Sequence, residues 1–381
     1  MEYRLVEKNG LNISALSFGC MRFEDDESAA EAVEKAVELG VNYFDVAPAY
    51  GGGRAEPQFA LGLSQVDREK IIVTAKSSPG NGWADVGIEY NPATGFGIRT
   101  ADQVRKQIDR SMEILGVDHL DVYHLWAVHG VKVFDEAIKP GGFLEGVAKA
   151  HEEGLFDHIG ITGHFTSDEL ISFLQQFPFT LVTLPFNLLD TTRAKGVDYC
   201  REHGIGVIAM NPLGGGTFAK KSAARDKIAS DLGFGSQTEA ALRFLTSYPG
   251  VTTALCGITY ASQAVEDDAA IAKGAISRKV SDELESRVKE LYANVEHFCT
   301  ACGYCGDCPQ GILIPQVLEV YTNLMVPSMA DVALQELADR LSENPEGLDP
   351  SLCTACKACE KLCPNHIPVS ELMQAALDKW A

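Results

Sequence analysis

The chain has 381 residues, 46% of them hydrophobic and 22% charged, with 32 Lys and Arg against 53 Asp and Glu for a formal net charge of −21. That length suits one large domain and a second small one. An acidic surface excludes the coating of nucleic acid, whose phosphates need cations; no run reaches the ~18 apolar residues that span a bilayer, and MEYRLVEKNG lacks the basic-then-apolar pattern of a secretory leader, so a cytoplasmic protein without nucleic-acid or membrane partners is expected.

Residues 5–13 come first, and Asn9-Gly10 between two short apolar stretches reads as a β-hairpin that could plug the lower end of a barrel. Short apolar, β-branched runs then end near Cys20, Val46, Lys76, Trp126, Gly163, Pro185, Met210 and Gly257. Amphipathic segments lie between them, among them 27–39, with Ala30, Val33 and Val37 at helical spacing, 101–115 and 191–203. Eight strand–helix units in one domain favour a closed (β/α)8 TIM barrel over an open sheet. The open-sheet alternative is weakened further because neither G-x-G-x-x-G after the first strand nor G-x-x-x-x-G-K-[ST] occurs. Composition shifts near residue 290, giving a barrel over 1–280, a helical linker over 281–296 and a cysteine-bearing domain over 297–381.

Active sites of such barrels sit at the carboxyl ends of the strands. There the chain places Asp45 and Tyr50 (FDVAPAYG), Lys76 (VTAKSS), Thr162 and His164 (GITGH), Asn187 (LPFN), and the glycine-rich turn NPLGGGTF with Gly214, Gly215 and Gly216. The glycine turn suits phosphate, held by backbone N–H groups. Asp45, Tyr50 and Lys76 form a chemical unit: a free tyrosine, with a pKa of ~10, is a weak acid at neutral pH. A neighbouring ammonium lowers that value, and a carboxylate holds the ammonium in place. The other reading is a plain Lys76–Asp45 pair in the barrel top with Tyr50 as packing.

FDVAPAYG followed by Glu56 and Leu61-Gly62, then VTAK, IGITG, PFN, GVIAMNPLGGG and ALCGITYASQAVEDD, in this order, resemble the aldo-keto reductases over roughly residues 1–275. The resemblance implies hydride transfer between NAD(P)H and a carbonyl or alcohol, with Tyr50 as general acid/base, Lys76 as its tuner and Asp45 as the orienting carboxylate. It implies nucleotide contacts from Thr162, Asn187, Met210, Pro212, Leu213, Gly214, Gly216, Gly257, Thr259 and Asp268. Several positions depart from the family pattern. Its histidine at the end of the fourth strand is Trp126 here, in LDVYHLWAVHG, leaving His124 or His129 as substitutes, with His124 taken as the fourth catalytic candidate. Its Ser-Asn after the fifth strand is Thr162-Gly163, its Gln on the sixth is Thr183, and Met210 replaces a stacking aromatic. After Gly257 no cation follows, while Glu266, Asp267 and Asp268 do, which favours NADH over NADPH. Two segments are candidates for setting substrate choice: 78–99, as a lid or an insertion without structure, and 127–142.

Eight of eleven cysteines crowd into positions 299–363. Cys299, Cys302, Cys305 and Cys308-Pro309 form one run; Cys353, Cys356, Cys359 and Cys363-Pro364 form the C-x2-C-x2-C-x3-C-P pattern of bacterial ferredoxins. Zinc also uses C-x2-C pairs, but two runs of four, each ending in Cys-Pro, point to two [4Fe–4S] clusters. The last cysteine of each run crosses over in two-cluster ferredoxins. This assigns Cys299, Cys302, Cys305 and Cys363 to one cluster and Cys353, Cys356, Cys359 and Cys308 to the other. Helical periodicity over 314–325 and 328–341 gives a mainly helical, ferredoxin-like domain. The combination resembles ferredoxin-containing reductases found mainly where oxygen is low. Hydride moves two electrons and a cubane one, so either the clusters are largely structural, or another redox centre sits between them, or the substrate tolerates one-electron steps; a ferredoxin or other electron carrier is a candidate partner. A flavin also stays open, because barrels bind FMN through the same phosphate loops. The expected substrate is a small carbonyl compound or an activated alkene (an enone); the alternative is a redox-sensing or electron-transfer component without carbonyl turnover.

Overall fold

Residues 1–80, 87–299, 301, 303, 305, 308–363 and 365–380 are described by the computed structural model. The first strands, β1 (Tyr3–Leu5) and β2 (Asn12–Ser14), pair antiparallel. Gly10 turns the hairpin at φ 77°, a conformation open to glycine at little cost.

The chain then alternates: β3 (Leu16–Gly19), α1 (Asp26–Glu38), β4 (Tyr43–Asp45), α2 (Ala55–Leu63), β5 (Ile72–Ser77), α3 (Ala101–Leu115), β6 (Leu120–Val128), α4 (Val131–Ala137), α5 (Phe143–Glu152), β7 (Phe156–Gly163), α6 (Ser167–Gln176), β8 (Leu181–Pro185), α7 (Ala194–Glu202), β9 (Gly206–Met210), α8 (Ala223–Asp231), α9 (Gln237–Thr246), β10 (Thr253–Gly257) and α10 (Ala261–Ile271). β3 to β10 are parallel neighbours in sequence order and β10 closes onto β3, the expected (β/α)8 barrel. Reciprocal side-chain caps start three of its helices: Asp25 with Ser28, Thr100 with Gln103, and Thr166 with Glu169.

Val6 and Ile13 of the hairpin pack with inward-facing Tyr43, Ile72, Val122, Leu181, Ile208 and Leu255, so the hairpin does plug the barrel. The barrel is a filled core, and its polar groups are usable only at the rim.

Among the described residues α11 (Arg278–Leu291), α12 (Ile314–Leu324), α13 (Ala330–Glu343), α14 (Ala358–Leu362) and α15 (Val369–Trp380) follow. The chain divides into two compact units, one of Met1–Pro212 with Ala241–Ser277, the other of Leu213–Ala240 with the chain from Arg278 onward. Arg225, 4% exposed, explains part of that grouping: its guanidinium reaches Gln237 and the Lys220 carbonyl, and donates to Tyr292 Oη at 2.7 Å. A buried guanidinium is tolerated only with its donors satisfied, so this arginine ties the stretch after β9 to the end of α11. In the second unit Ile314, Val317 and Leu318 of α12 meet Val369, Met373 and Ala376 of α15 in a small core. Among the described residues no helix is long and apolar enough to cross a membrane.

Candidate active site and cysteine centre

At the carboxyl ends of β4 and β5 the barrel rim brings Asp45, Lys76 and Tyr50 together. Lys76 Nζ donates to Asp45 Oδ1 and, at 2.9 Å, to Tyr50 Oη. The side chains of the ion pair are 1% and 3% exposed. Tyr50 opens a short 3-10 turn whose next three residues, Gly51 to Gly53, all have positive φ. Asp45 Oδ2 is buried and has no hydrogen-bond partner, leaving an acceptor that a ligand hydroxyl could satisfy. Burial pushes the Tyr50 hydroxyl well above its ordinary pKa, with Asp45 and Cys20 adding to the rise; a hydrogen bond with Trp126 and the charge of Arg22 pull the other way. The direction is opposite to the one expected from the ammonium, because desolvation of a phenolate outweighs its neighbours. Tyr50 therefore carries its proton at neutral pH.

His124 lies inside the barrel. It is fully buried, its Nε2 is 3.0 Å from Tyr43 Oη, and its Nδ1 has no partner. Burial first, then Lys76, hold its pKa well below the ordinary value, so the ring is neutral. Gly160 makes room for it: a Cβ there would fall 2.2 Å from His124 Nδ1. Trp126 reaches the mouth. Its ring lies 5.5 Å from that of Tyr50 at 88° and stacks at 4.6 Å on Phe96. His129 and His164 face each other, rings 5.1 Å apart, and the His164 amide donates to His129 Nδ1 at 3.3 Å. The segment after β5 is ordered where it is described: Ile98 is buried, the Ser78 amide donates to Gly95, and Phe96 supports Trp126. Residues 81–86 of it lie outside the described residues. The 127–142 segment contains α4.

The nucleotide candidates divide. Thr162 is 4% exposed at the end of β7. Asn187 braces its own turn: its Nδ2 donates to the Asn211 carbonyl, and its Oδ1 accepts from the Leu189 and Asp190 amides. Met210 is half-buried at the end of β9 and Pro212 is buried. Leu213, Gly214 and Gly216 belong to the second unit, where Gly214, Gly215 and Gly216 have φ of 59°, 68° and 93° and the Phe218 amide closes the turn on the Leu213 carbonyl. The Thr259 amide is held by Gln263 Oε1 at 2.7 Å. Asp268 is half-buried, whereas Asp267 turns inward to Cys256 and burial pushes its carboxyl up to about 6. The stem of Arg22 packs against Gly257, and its charge is felt at Tyr50.

Cys299, Cys305 and Cys363 line one cavity of the second unit with Ile314, Leu318 and Ile367. Cys308, Cys353 and Cys359 pack against the same core, and Cys356 is exposed. Cys302 lies outside the described residues, as do Tyr304 and Pro364. No three described His, Cys, Asp or Glu side chains already converge as a metal-ligand set. The backbone repeats itself, however: in both Cys-Thr-Ala-Cys segments the alanine is left-handed (Ala301 φ 46°, Ala355 φ 52°), and so is the residue after the second cysteine (Gly303 φ 79°, Lys357 φ 58°). Left-handed positions in such loops form nests that aim N–H groups at an anionic centre such as an iron–sulfur cluster. The twin conformation is a local feature that the cysteine spacing alone does not reveal.

Against known proteins, residues 15–289 match the model of the Aldo/keto reductase family and residues 298–367 that of a 4Fe-4S dicluster domain. L-galactose dehydrogenase of Arabidopsis thaliana is 28% identical over 302 residues, 71% of this chain and 88% of that protein. 6-Dehydroglucose reductase of Novosphingobium aromaticivorans is 26% identical over 302 residues, 73% and 90% respectively. An aldo-keto reductase of Bacillus halodurans solved in its holo form superposes with a TM-score of 0.63 at 20% identity, over 75% of this chain and 96% of its own, which speaks to the fold. The buried Asp45–Lys76 pair with Tyr50 at the rim of a closed eight-stranded barrel thus sits in a chain that belongs to the aldo/keto reductase family of oxidoreductases and carries a carboxyl-terminal 4Fe-4S dicluster domain.

Proposed function

We propose that the barrel reduces the carbonyl group of a small molecule, with Tyr50 as the proton donor, and that the carboxyl-terminal domain holds two [4Fe–4S] clusters. The observation that carries the catalytic half is the Asp45–Lys76–Tyr50 chain of contacts, buried and paired. A nicotinamide cofactor, when bound, supplies hydride to the carbonyl carbon. Tyr50 gives its proton to the carbonyl oxygen, and the phenolate left behind stays within reach of the Lys76 ammonium, which Asp45 neutralises and holds. The rim fits such a cofactor in one respect above others: Asp45 Oδ2 is a buried acceptor with nothing to accept from. We assign His124 to packing on Tyr43 rather than to proton transfer, because its pair faces the barrel interior. NADH stays the favoured nucleotide, because no cation follows Gly257 in the chain while Glu266, Asp267 and Asp268 do.

The cavity shared by Cys299, Cys305 and Cys363 supports the crossed assignment, in which Cys302 completes that set and Cys308 joins Cys353, Cys356 and Cys359. No disulfide joins the described cysteines, in keeping with a reducing, cytoplasmic setting with low oxygen. An activated alkene is the other substrate class under this reading. The dicluster domain itself favours a second reading, an electron-transfer component exchanging electrons with a ferredoxin.

Anaerobically purified full-length protein tests both halves. About eight irons and eight sulfides per chain are expected, as two four-iron clusters require. NADH or NADPH oxidation should depend on an added carbonyl such as 4-nitrobenzaldehyde. Nucleotide oxidation insensitive to carbonyls and enones, alongside cluster reduction by ferredoxin, would move the assignment to the second reading.

A further inference from the structure

The strand that carries Trp126 is irregular at that residue. β6 pairs with β7 in register up to Leu125 opposite Ile161, then slips, and resumes at Val128 opposite Gly163. The slip leaves Ala127 at φ 56°, which a residue with a Cβ adopts only when its surroundings hold it there. Bulges of this kind re-aim a side chain next to an active site. Here the re-aimed side chain is Trp126, 3% exposed, stacked on Phe96 and set at right angles to the Tyr50 ring. An indole N–H is a donor with no acceptor capacity. Tyr50 Oη already accepts from Lys76 Nζ.

We propose that Trp126 is a positioning residue for Tyr50: the bulge and Phe96 fix its indole, whose N–H anchors the tyrosine oxygen, so that Lys76 and Trp126 occupy both acceptor positions and the phenolic proton is left to point at the substrate. This rests on Tyr50 being the proton donor and adds how that donor is aimed. It also gives the tryptophan a task that histidine would perform differently, since a histidine in its place would titrate near neutrality and an indole does not. The charged and titratable groups facing Tyr50 are then Asp45, Lys76, Cys20 and Arg22, with no imidazole among those named.

The test is a 15N–1H correlation spectrum of the full-length protein, in which the indole N–H signal of Trp126 is the one lost in Trp126→Phe. Tyr50→Phe should move that signal while leaving the signal of Trp380 in place. Kinetics supply a second readout with 4-nitrobenzaldehyde: Trp126→Phe, which keeps a ring for Phe96 to stack on, should lower kcat by roughly 10-fold, the worth of one hydrogen bond, with KM changed less than about twofold. Trp126→His should add a second ionisation to the pH profile of kcat. An indole signal indifferent to Tyr50→Phe, or a Trp126→Phe variant that loses in KM alone, would overturn the proposal. Full turnover in Tyr50→Phe would instead overturn the reading on which it rests, whatever the indole signal does.

Discussion

Lys76 and Asp45 at the barrel rim are 1% and 3% exposed and already paired, whereas the described thiols of the two cysteine runs are half-buried or, at Cys356, exposed, around a small core. The rim is supported by a closed ring of strands and a filled interior, so its charges are positioned before any ligand arrives. In the second unit the cysteine loops carry left-handed alanines, and thiols gathered as cluster ligands, as proposed, repel when ionised. Such sites draw folding free energy from the metal they bind. On the proposed assignment, one chain thus holds a preorganised site and a ligand-dependent one.

The largest expected effect of breaking that contrast comes from removing iron. Anaerobic chelation should strip amide-exchange protection from α12 and α15 by more than about 100-fold, while the barrel strands keep theirs. Equal loss in both units, or loss in neither, would remove the distinction.

A smaller effect probes the interior of the barrel. Gly160→Ala puts a Cβ against His124 and should cost about 3 kcal/mol of stability, as overpacking does. In a His124→Ala background the same change should cost less than about 1 kcal/mol. The same penalty in both backgrounds, read by denaturant titration, would show that the glycine has another purpose.

Asp267 sharpens the picture of the barrel's charges. Its folded pKa, about 6, is raised by burial, so the fold prefers the protonated carboxyl. The stabilisation from that preference is fully present below the unfolded value near 4 and is lost as pH rises through about 6. Asp267→Asn should therefore reduce the drop in stability between pH 5 and pH 8 by at most ~3 kcal/mol; thermal melts whose pH dependence matches the parent would contradict the assignment. The smallest effect concerns the twin loops. Lys357→Gly relieves a left-handed lysine where the first loop has Gly303, and should stabilise the iron-loaded second unit by about 0.5–1 kcal/mol, measured as a shift in its unfolding midpoint.

Much of this architecture could be read from residue pattern. The expected strand ends at Cys20, Val46, Lys76, Gly163, Pro185, Met210 and Gly257 fall within one residue of the observed ones, because buried parallel strands are continuous apolar runs. β6 ends two residues beyond Trp126, at the bulge, where periodicity carries no signal for an inserted residue. The contacts among Asp45, Tyr50 and Lys76 were foreseeable from their places after successive strands. The direction of the Tyr50 shift was not, since it depends on how completely the hydroxyl is enclosed. That Asn187 braces its own turn was not legible, because a sequence does not show amide contacts. The packing of the Arg22 stem on Gly257 was not legible either, because the two are 235 positions apart and meet only when β10 closes on β3. The grouping of 213–240 with the second unit likewise turns on Arg225, one buried cation among many basic residues.

Catalysis by Tyr50 is tested most directly by kcat for 4-nitrobenzaldehyde reduction in Tyr50→Phe, with nucleotide affinity measured alongside on the same iron-loaded protein. A fall of roughly 10²–10⁴-fold, the usual worth of a general acid, with nucleotide binding within about twofold of the parent is the predicted result. A Tyr50→Phe protein that turns over at the parent rate would contradict it.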